Sequence, residues 1–222
     1  MYKLASIQIL VMNVEYIMKR LKMFIQFFVL FLFLIPFIGC NKDDDISNSI
    51  SSVSLVPLKV GSQWIYRNTN YDTLGNVQQI FLDTVKISGD TTIEGVNWYK
   101  IDADSIFYTN KSNGFWVMYI YSSGPISNTQ SLIAKYPAEV MDYWPIPLGI
   151  QVQLLDIGSN YSVPAGRYSY YKYSYTDTIK HALLQYKYFS AGTGMIREED
   201  FFQCYNNKNI LVRTSELLSF KE

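Results

Sequence analysis

The chain has 222 residues, with 19 basic and 19 acidic side chains and no formal net charge. Two cysteines and one histidine exclude a disulfide-rich scaffold and a metal site built from several histidines. The sequence contains no cluster of Lys and Arg of the kind that would indicate nucleic-acid binding. The sequence contains no phosphate-binding loop, nucleophile elbow, dinucleotide fingerprint or paired-histidine zinc motif, which excludes the common recognisable enzyme classes. We therefore predict neither a cofactor nor a metal.

The N-terminal segment has the pattern of a secretory signal. Residues 18–22 (MKRLK) are basic, and residues 23–39 (MFIQFFVLFLFLIPFIG) form an uncharged apolar run. This run is short for a helix that spans a membrane permanently. We expect residues 1–39 to be removed as a signal peptide. We also expect translation to begin at Met18, because Glu15 lies where a signal is normally basic. The mature chain then has a net charge of −3.

The signal ends at a cysteine. The sequence Phe37-Ile38-Gly39-Cys40 resembles the lipobox of bacterial lipoproteins, with Phe37 in place of the usual leucine. The resemblance implies that Cys40 carries acyl chains such as palmitate and that the precursor is cut just before it. Two or three acyl chains hold a protein on a bilayer where one chain would not. Cys40 is therefore predicted to be an anchor rather than a catalyst.

A charged stretch follows the anchor, formed by Asn41, Lys42, Asp43, Asp44 and Asp45. It resembles the export signal of Bacteroidota-type lipoproteins, which implies an outer-membrane protein exposed at the cell surface. The alternative is a solubilising linker, since short charged runs are common in linkers. We interpret residues 40–54 as a lipid-anchored flexible tether with a root-mean-square reach of roughly 20 Å. Residues 55–222 are interpreted as a single domain.

The domain has the pattern of an antiparallel β-sheet. Short runs rich in Tyr, Phe, Val, Ile and Thr alternate with turns that contain Gly and Asn, for example VQQIFLDTVKI followed by SGDTT. Such spacing predicts an all-β fold, either a curved half-barrel or a sandwich, with short helices at most. No long segment has a convincing helical period, although residues 129–143 could hold a short helix.

Three short motifs resemble uncharacterised Bacteroidota-type lipoproteins and, in outline, the LolA-like half-barrel group. They are PLKVGSQWIYR at residues 57–67, VPAGRYSYYKY at 163–173 and YFSAGTGMIREE at 188–199. The resemblance implies a curved sheet with a concave face. LolA-type carriers hold an acyl chain there, but no residue of this chain matches their binding residues. A periplasm-facing carrier or chaperone of an apolar, lipid-like ligand is therefore an alternative function, and it predicts a cavity behind residues 168–175.

The pattern Pro-x-x-Val-x-x-x-Trp occurs at residues 57–64 and again at residues 137–144. Repeated spacing of this kind is typical of an internal structural repeat. It indicates either two sub-sheets, each entered by the same kind of corner, or a chance match of three positions.

Aromatic residues are the main binding candidates: Trp116, Tyr168, Tyr170, Tyr171, Tyr173 and Tyr175. Side chains two apart share one face of a strand, so the tyrosines occupy both faces of theirs. A strand of this kind is either covered twice or contacts a ligand. The first alternative is a set of cross-strand aromatic pairs, and the second is binding of a glycan or an apolar ring. Trp116 is a candidate because it faces away from the apolar stripe of its strand.

Other polar residues give weaker signals. Asp102 and Asp104 would share a strand face about 7 Å apart, which suits a carboxylate-dependent hydrolase, and the alternative is a solvated face. His181 is predicted to be an exposed residue at a strand end. Cys204 is predicted to be a small core or semi-buried residue and not a nucleophile. Residues 198–200 (EED) read as a solvated charged guard beside an aggregation-prone strand. The predicted function is non-catalytic binding of a ligand, a glycan or an envelope protein.

Overall fold

The computed structural model describes residues 53–102, 105–120, 129–204 and 208–222. These residues belong to one compact unit, Ser49–Glu222. The predicted signal, the lipidation site Cys40 and the export stretch at residues 41–45 lie outside the described residues. In the described ranges, no helix is long and apolar enough to cross a membrane.

Antiparallel strands make up nearly all of the described structure. In chain order they are β1 (Gln63–Tyr71), β2 (Val77–Ile93), β3 (Val96–Ile101), β4 (Ile106–Lys111), β5 (Gly114–Tyr119), β6 (Thr129–Lys135), β7 (Tyr143–Ile146), β8 (Ile150–Val163), β9 (Gly166–Asp177), β10 (Ala182–Ser190), β11 (Gly194–Gln203) and β12 (Asn209–Lys221). One 3₁₀ turn, Pro147–Gly149, joins β7 to β8. The all-β prediction is confirmed. The short helix expected in residues 129–143 is wrong, because β6 completes the hydrogen bonding of β5.

The strands form one twelve-stranded sheet in the order β6-β5-β4-β3-β2-β1-β12-β11-β10-β9-β8-β7. Strands that are neighbours along the chain pair with each other, except β6 and β7. The register of β1 against β12 joins the two halves of the chain. Only β6 and β7 lie at margins of this sheet. The sheet curls into a nearly closed barrel, further than the predicted half-barrel.

Side chains bridge the two margins of the sheet. On β9, the hydroxyls of Tyr173 and Tyr175 each donate to a backbone carbonyl of β6 at 2.6 Å. On β7, the indole N–H of Trp144 donates to a third β6 carbonyl at 2.7 Å. A sheet margin normally exposes unpaired backbone groups. The inward-facing tyrosines of β9 therefore help to close the barrel.

The Tyr175→Phe substitution is expected to lower the free energy of unfolding by about 1–2 kcal/mol, because it leaves a margin carbonyl without its donor. Tyr175 is buried and its hydroxyl donates to the Ile133 carbonyl. Urea unfolding measures the effect. Tyr168→Phe is the matched control, since the Tyr168 hydroxyl lies 3.4 Å from its acceptor and its loss should cost less than about 0.5 kcal/mol. Equal losses in the two variants would contradict a role in closure.

The two Pro-x-x-Val-x-x-x-Trp corners fold alike. In the first corner, the Gly61 N–H donates to the Ile87 carbonyl, and the Ile87 N–H donates to the Ser62 carbonyl. The second corner makes the same two bonds, with Met141, Leu154 and Asp142 in the corresponding positions. The predicted likeness of the corners is confirmed, and each corner leads into a hairpin. The two halves, β1–β6 and β7–β12, belong to one sheet instead of the two sub-sheets that we expected.

Turns alternate between two ends of the barrel because successive strands run in opposite directions. The closed end is the end that carries residues 53–62 and the turns after β4 and β10. The mouth end is the opposite end, which carries the turns after β1, β7, β9 and β11. Leu55 and Val56 are buried at the closed end, where the Gly194 N–H donates to the Leu55 carbonyl at 3.1 Å. These two side chains fill the interior at the closed end.

Candidate functional site

A cavity of about 300 Å³ lies inside the barrel. Its floor, toward the closed end, is formed by buried side chains, which include Trp64, Phe115, Val117 and Phe189. Its opening lies toward the mouth end and is flanked by more exposed side chains, which include Asp83, Tyr119 and Arg213. The cavity is therefore a well with an apolar, aromatic floor and a polar opening.

Strand β1 shows how the local sequence builds this gradient. Trp64, Tyr66 and Asn68 are spaced two apart, so all three face the interior. Trp64 lies nearest the closed end and stacks on Phe220 with 5.2 Å between ring centroids. Asn68 lies nearest the mouth and accepts a hydrogen bond from the Ser215 hydroxyl. Polarity therefore rises along one strand from floor to opening.

Tyr66 lies between these levels and is fixed at its hydroxyl. This hydroxyl donates to the Met195 carbonyl at 3.0 Å. Burial raises the pKa of the Tyr66 phenol far above its ordinary value, with smaller contributions from Tyr108 and Glu198. The Tyr66 phenol therefore stays neutral at any physiological pH.

An ion pair lies on the cavity wall. The Lys187 ammonium on β10 is 2.7 Å from a carboxylate oxygen of Glu198 on β11, and these side chains are only 21% and 10% exposed. The two residues are direct partners in the β10–β11 register, and Glu198 is in turn opposite Ser215. Paired charges at such low exposure are strongly coupled, because little water screens them. The pair forms a polar belt above the aromatic floor.

A second polar row lies one step closer to the mouth. The Asp200 carboxylate accepts hydrogen bonds from the Arg213 guanidinium at 2.6 Å and from the Gln185 amide at 2.8 Å. Burial and the nearby Glu198 carboxylate raise the pKa of Asp200 above its ordinary value, although Arg213 opposes the shift. Carboxylates therefore repel each other across the two rows of the belt.

The Asp200→Asn substitution is expected to remove a contribution that lowers stability as the pH rises through the acid range. The native pKa of Asp200 lies above the ordinary value of 3.8, so the native state holds this proton more tightly than the unfolded chain. The resulting stabilisation is complete below pH 3.8 and is lost as the pH rises through the native pKa. Urea unfolding at a series of pH values measures the slope. An unchanged slope in the variant would contradict this assignment.

The tyrosines that the sequence analysis named as binding candidates lie on both faces of β9, as the alternation along the strand indicated. Tyr171, Tyr173 and Tyr175 face inward, and Tyr171 packs edge-on against Tyr136 at 5.3 Å. On the other face, the Tyr170 hydroxyl donates to Asp156 at 2.6 Å. The cavity described above is lined by other residues. The contacts of these tyrosines are with the barrel itself, and ligand binding by them stays a prediction.

Trp116 is half-buried on the outer face of β5. Its indole N–H donates to the Asn113 side chain at 2.9 Å, and the Lys111 ammonium lies 4.3 Å from its ring centroid. A cation over the indole face occupies the surface on which a sugar ring would stack. Glycan binding at Trp116 stays a prediction and would require Lys111 to move.

The remaining candidates are dispersed. Asp102 is exposed in the turn after β3, and Asp104 lies outside the described residues. His181 is exposed at a positive φ of 52° in the β9–β10 turn, as predicted for a strand end. Cys204 is a half-buried free thiol just after β11. Among the residues that the structure describes, no group of three His, Cys, Asp or Glu side chains could hold a metal ion.

The interpretation of residues 198–200 as a solvated charged guard is wrong. Glu198 is buried in the belt with Lys187, and Asp200 is paired with Arg213 in the second row. The sequence does contain a signal for this. Glu198 follows the buried Ile196 by two positions, so the two residues share a face of β11. A carboxylate on an inward face predicts a partner, which only the β10–β11 register supplies.

No family model matches this chain, and no curated protein matches it. Among solved structures, the chain is similar to one described as a "putative lipoprotein" from Parabacteroides distasonis. The identity is 14%, the alignment covers 76% of this chain and 99% of the other, and the TM-score is 0.40.

Proposed function

We propose that this protein is a lipid-anchored binding protein of the bacterial outer membrane that holds a small ligand in its barrel cavity. The cavity carries the binding part of this proposal. Its volume of about 300 Å³ lies at the small end of the range typical of ligand pockets. The anchoring part is supported by the lipobox resemblance at Cys40 and the acidic stretch that follows it.

The lining favours a ligand with an apolar body and a polar end. Aromatic side chains on the floor offer flat apolar surface, and the ion pair of Lys187 and Glu198 offers both a donor and an acceptor. Long acyl chains fit this cavity less well, because the belt places charges along its wall. This favours a small amphipathic molecule over the acyl chain that a carrier of the LolA-like type would hold.

The Val85→Phe substitution tests the cavity. Val85 lines the cavity opposite Trp64 in the β1–β2 register, and a phenyl ring there would fill part of the well. The probe is the neutral dye N-phenyl-1-naphthylamine, whose emission rises in an apolar site. We expect saturable binding by the wild type and at least about ten-fold weaker binding by the variant, as for other changes of shape in apolar pockets.

Val96→Phe is the matched control for this experiment. Val96 is half-buried on β3 and is not among the residues that line the cavity, so the same gain in volume should leave dye binding unchanged. Thermal unfolding of both variants checks that the barrel is intact. Binding that is non-saturable, or equally weakened in the two variants, would contradict a cavity site.

Anchoring and export are tested on cells. Cys40→Ala should abolish incorporation of labelled palmitate and release the protein from the membrane fraction. A second variant replaces Lys42, Asp43, Asp44 and Asp45 by alanine. Protease added to intact cells should degrade the wild type and spare this variant, with permeabilised cells as the control. Protection of the wild type on intact cells would place the domain in the periplasm and leave residues 41–45 as a linker.

A further inference from the structure

The mouth end carries unusually exposed apolar side chains. Leu148, Leu74 and Ile179 have the three highest exposed fractions of the large apolar side chains in the described ranges, at 88%, 85% and 77%. Each lies at the tip of a different hairpin, after β7, β1 and β9 respectively. Phe202, 60% exposed, lies at the mouth end of β11. We call these four residues the mouth rim.

Two rim residues are held outward by the same local device. The Leu74 N–H donates to the Asp72 carboxylate at 2.9 Å, and the Ile179 N–H donates to the Asp177 carboxylate at 2.8 Å. In each turn the aspartate fixes the backbone two residues ahead. The aliphatic side chain is therefore presented on an ordered turn and not on a free loop.

Leu148 is a third case, with a different geometry. Its φ is +71°, a region that favours glycine and is uncommon for a side chain of this size. The next turn is tied to it, because the Thr178 N–H and hydroxyl both donate to the Gly149 carbonyl, at 2.8 and 2.7 Å. Leu148 and Ile179 therefore lie on adjacent tips.

The arrangement of apolar and polar side chains at the mouth rim suits a lipid surface better than a protein partner. The apolar tips at Leu74 and Ile179 lie in turns that also contain polar residues, such as Asp72, Asp177 and Lys180. A protein interface requires a packed, contiguous centre. The interfacial region of a bilayer accepts isolated apolar side chains together with polar turns, and it imposes no fixed shape.

The tether is long enough for the mouth end to contact the same membrane in which the predicted acyl anchor would be inserted. Twelve residues, 41–52, separate Cys40 from Val53 at the closed end. Fully extended, they span about 40 Å at 3.3–3.6 Å per residue. Strand β1, with 9 residues, rises about 30 Å from one end to the other. The tether is therefore long enough for the mouth end to face the same bilayer.

We propose that the mouth rim inserts into the surface of a lipid bilayer, so that the cavity opens onto the membrane. The occupant of this surface is lipid, not a protein. The inference goes beyond the binding function proposed above and does not depend on which ligand the cavity holds. It implies that a ligand can pass between the bilayer and the cavity without crossing bulk water.

The test places a fluorescent probe at single cysteines in the full chain. The parent carries Cys204→Ser, and Leu148→Cys or Ile179→Cys adds the labelled thiol. Met141→Cys is the matched control, because Met141 is 65% exposed, has a positive φ of 77° and precedes β7, at the opposite end of that strand from Leu148. The proteins are reconstituted in phosphatidylethanolamine and phosphatidylglycerol vesicles with a nitroxide on a shallow acyl carbon. Any label on Cys40 is measured in the parent and subtracted.

We expect the rim probes to be quenched about five-fold more than the Met141 probe, because inserted side chains lie roughly 5–10 Å into the interface. Equal quenching at both ends, or none at the rim, would overturn the inference. Rim probes that are shielded in cell envelopes but not quenched by the spin-labelled lipid would indicate a protein partner and would overturn it as well. Recovery of the protein with vesicles reports the anchor separately, and dye binding reports the cavity, so the three proposals can fail independently.

Discussion

Gly114→Ala is expected to destabilise the barrel by about 3–5 kcal/mol, the range reached by severe single substitutions. Gly114 begins β5 at a φ of +137°, and a Cβ there would lie 2.2 Å from the Ala134 carbonyl and 2.8 Å from the Tyr136 nitrogen. Both contacts are with backbone, so no side-chain rotation relieves them. The whole of β6 would have to move away, and its carbonyls are the ones that Tyr173 and Tyr175 bind at the margin. Thermal and urea unfolding measure the loss.

Gly95→Ala separates backbone strain from the clash. Gly95 has a positive φ of 77°, and a Cβ there would meet nothing within 4 Å. The variant should therefore cost only the strain of a left-handed residue, about 1–2 kcal/mol. If the two alanine variants lose the same stability, the close approach of β5 to β6 is not what requires glycine at residue 114.

Glu198→Leu is expected to cost about 3–5 kcal/mol, because it leaves the Lys187 ammonium unpaired at low exposure. The double variant that adds Lys187→Met should recover most of this loss, since two apolar side chains of similar size can replace an ion pair with little change in stability. Urea unfolding of the two single variants and the double variant gives the coupling energy between the residues. Additive losses would show that the pair is not coupled.

The pair of Arg67 and Glu216 provides the matched control for the buried pair. Its carboxylate also lies 2.7 Å from the partner nitrogen, but the Arg67 side chain is 44% exposed. Water screens the exposed Arg67, and Glu216 keeps its second partner, Arg197, at 2.5 Å. Arg67→Met should therefore change the free energy of unfolding by no more than about 1 kcal/mol. The same N···O distance is thus expected to have very different consequences on the inside and the outside of the barrel.

The interior of the barrel changes from aromatic to polar along its axis. The aromatic floor should keep its structure when the Lys187 and Glu198 charges are removed, so the double variant should bind a neutral dye at least as well as the wild type. Loss of dye binding in a folded double variant would show that the belt contributes contacts to the ligand. The stability experiment therefore also informs the proposed function.

The sequence predicted the strands well because alternation of apolar and polar residues is a local property of each strand. It also predicted the like corners at residues 57–64 and 137–144, since each corner is defined by residues close in the chain. The prediction for residues 198–200 was wrong, because whether a carboxylate there is buried or solvated depends on its partner in another strand. The short helix expected in residues 129–143 failed for the same reason, because pairing with β5 decides the conformation of β6.

By itself, the sequence determined that this is an antiparallel β domain, with a predicted secretory signal and lipid anchor at Cys40 ahead of it. The β domain and the signal follow from local patterns of hydrophobicity and charge, and the predicted anchor follows from the resemblance of residues 37–40 to a lipobox. None of these conclusions needs distant contacts. Only the tertiary structure decided that the sheet curls into one barrel, that Lys187 meets Glu198 inside it, and that Leu74, Leu148 and Ile179 reach the same end. The reason is physical, because strand register and closure bring together residues far apart in the chain, and no local pattern encodes which of them will meet.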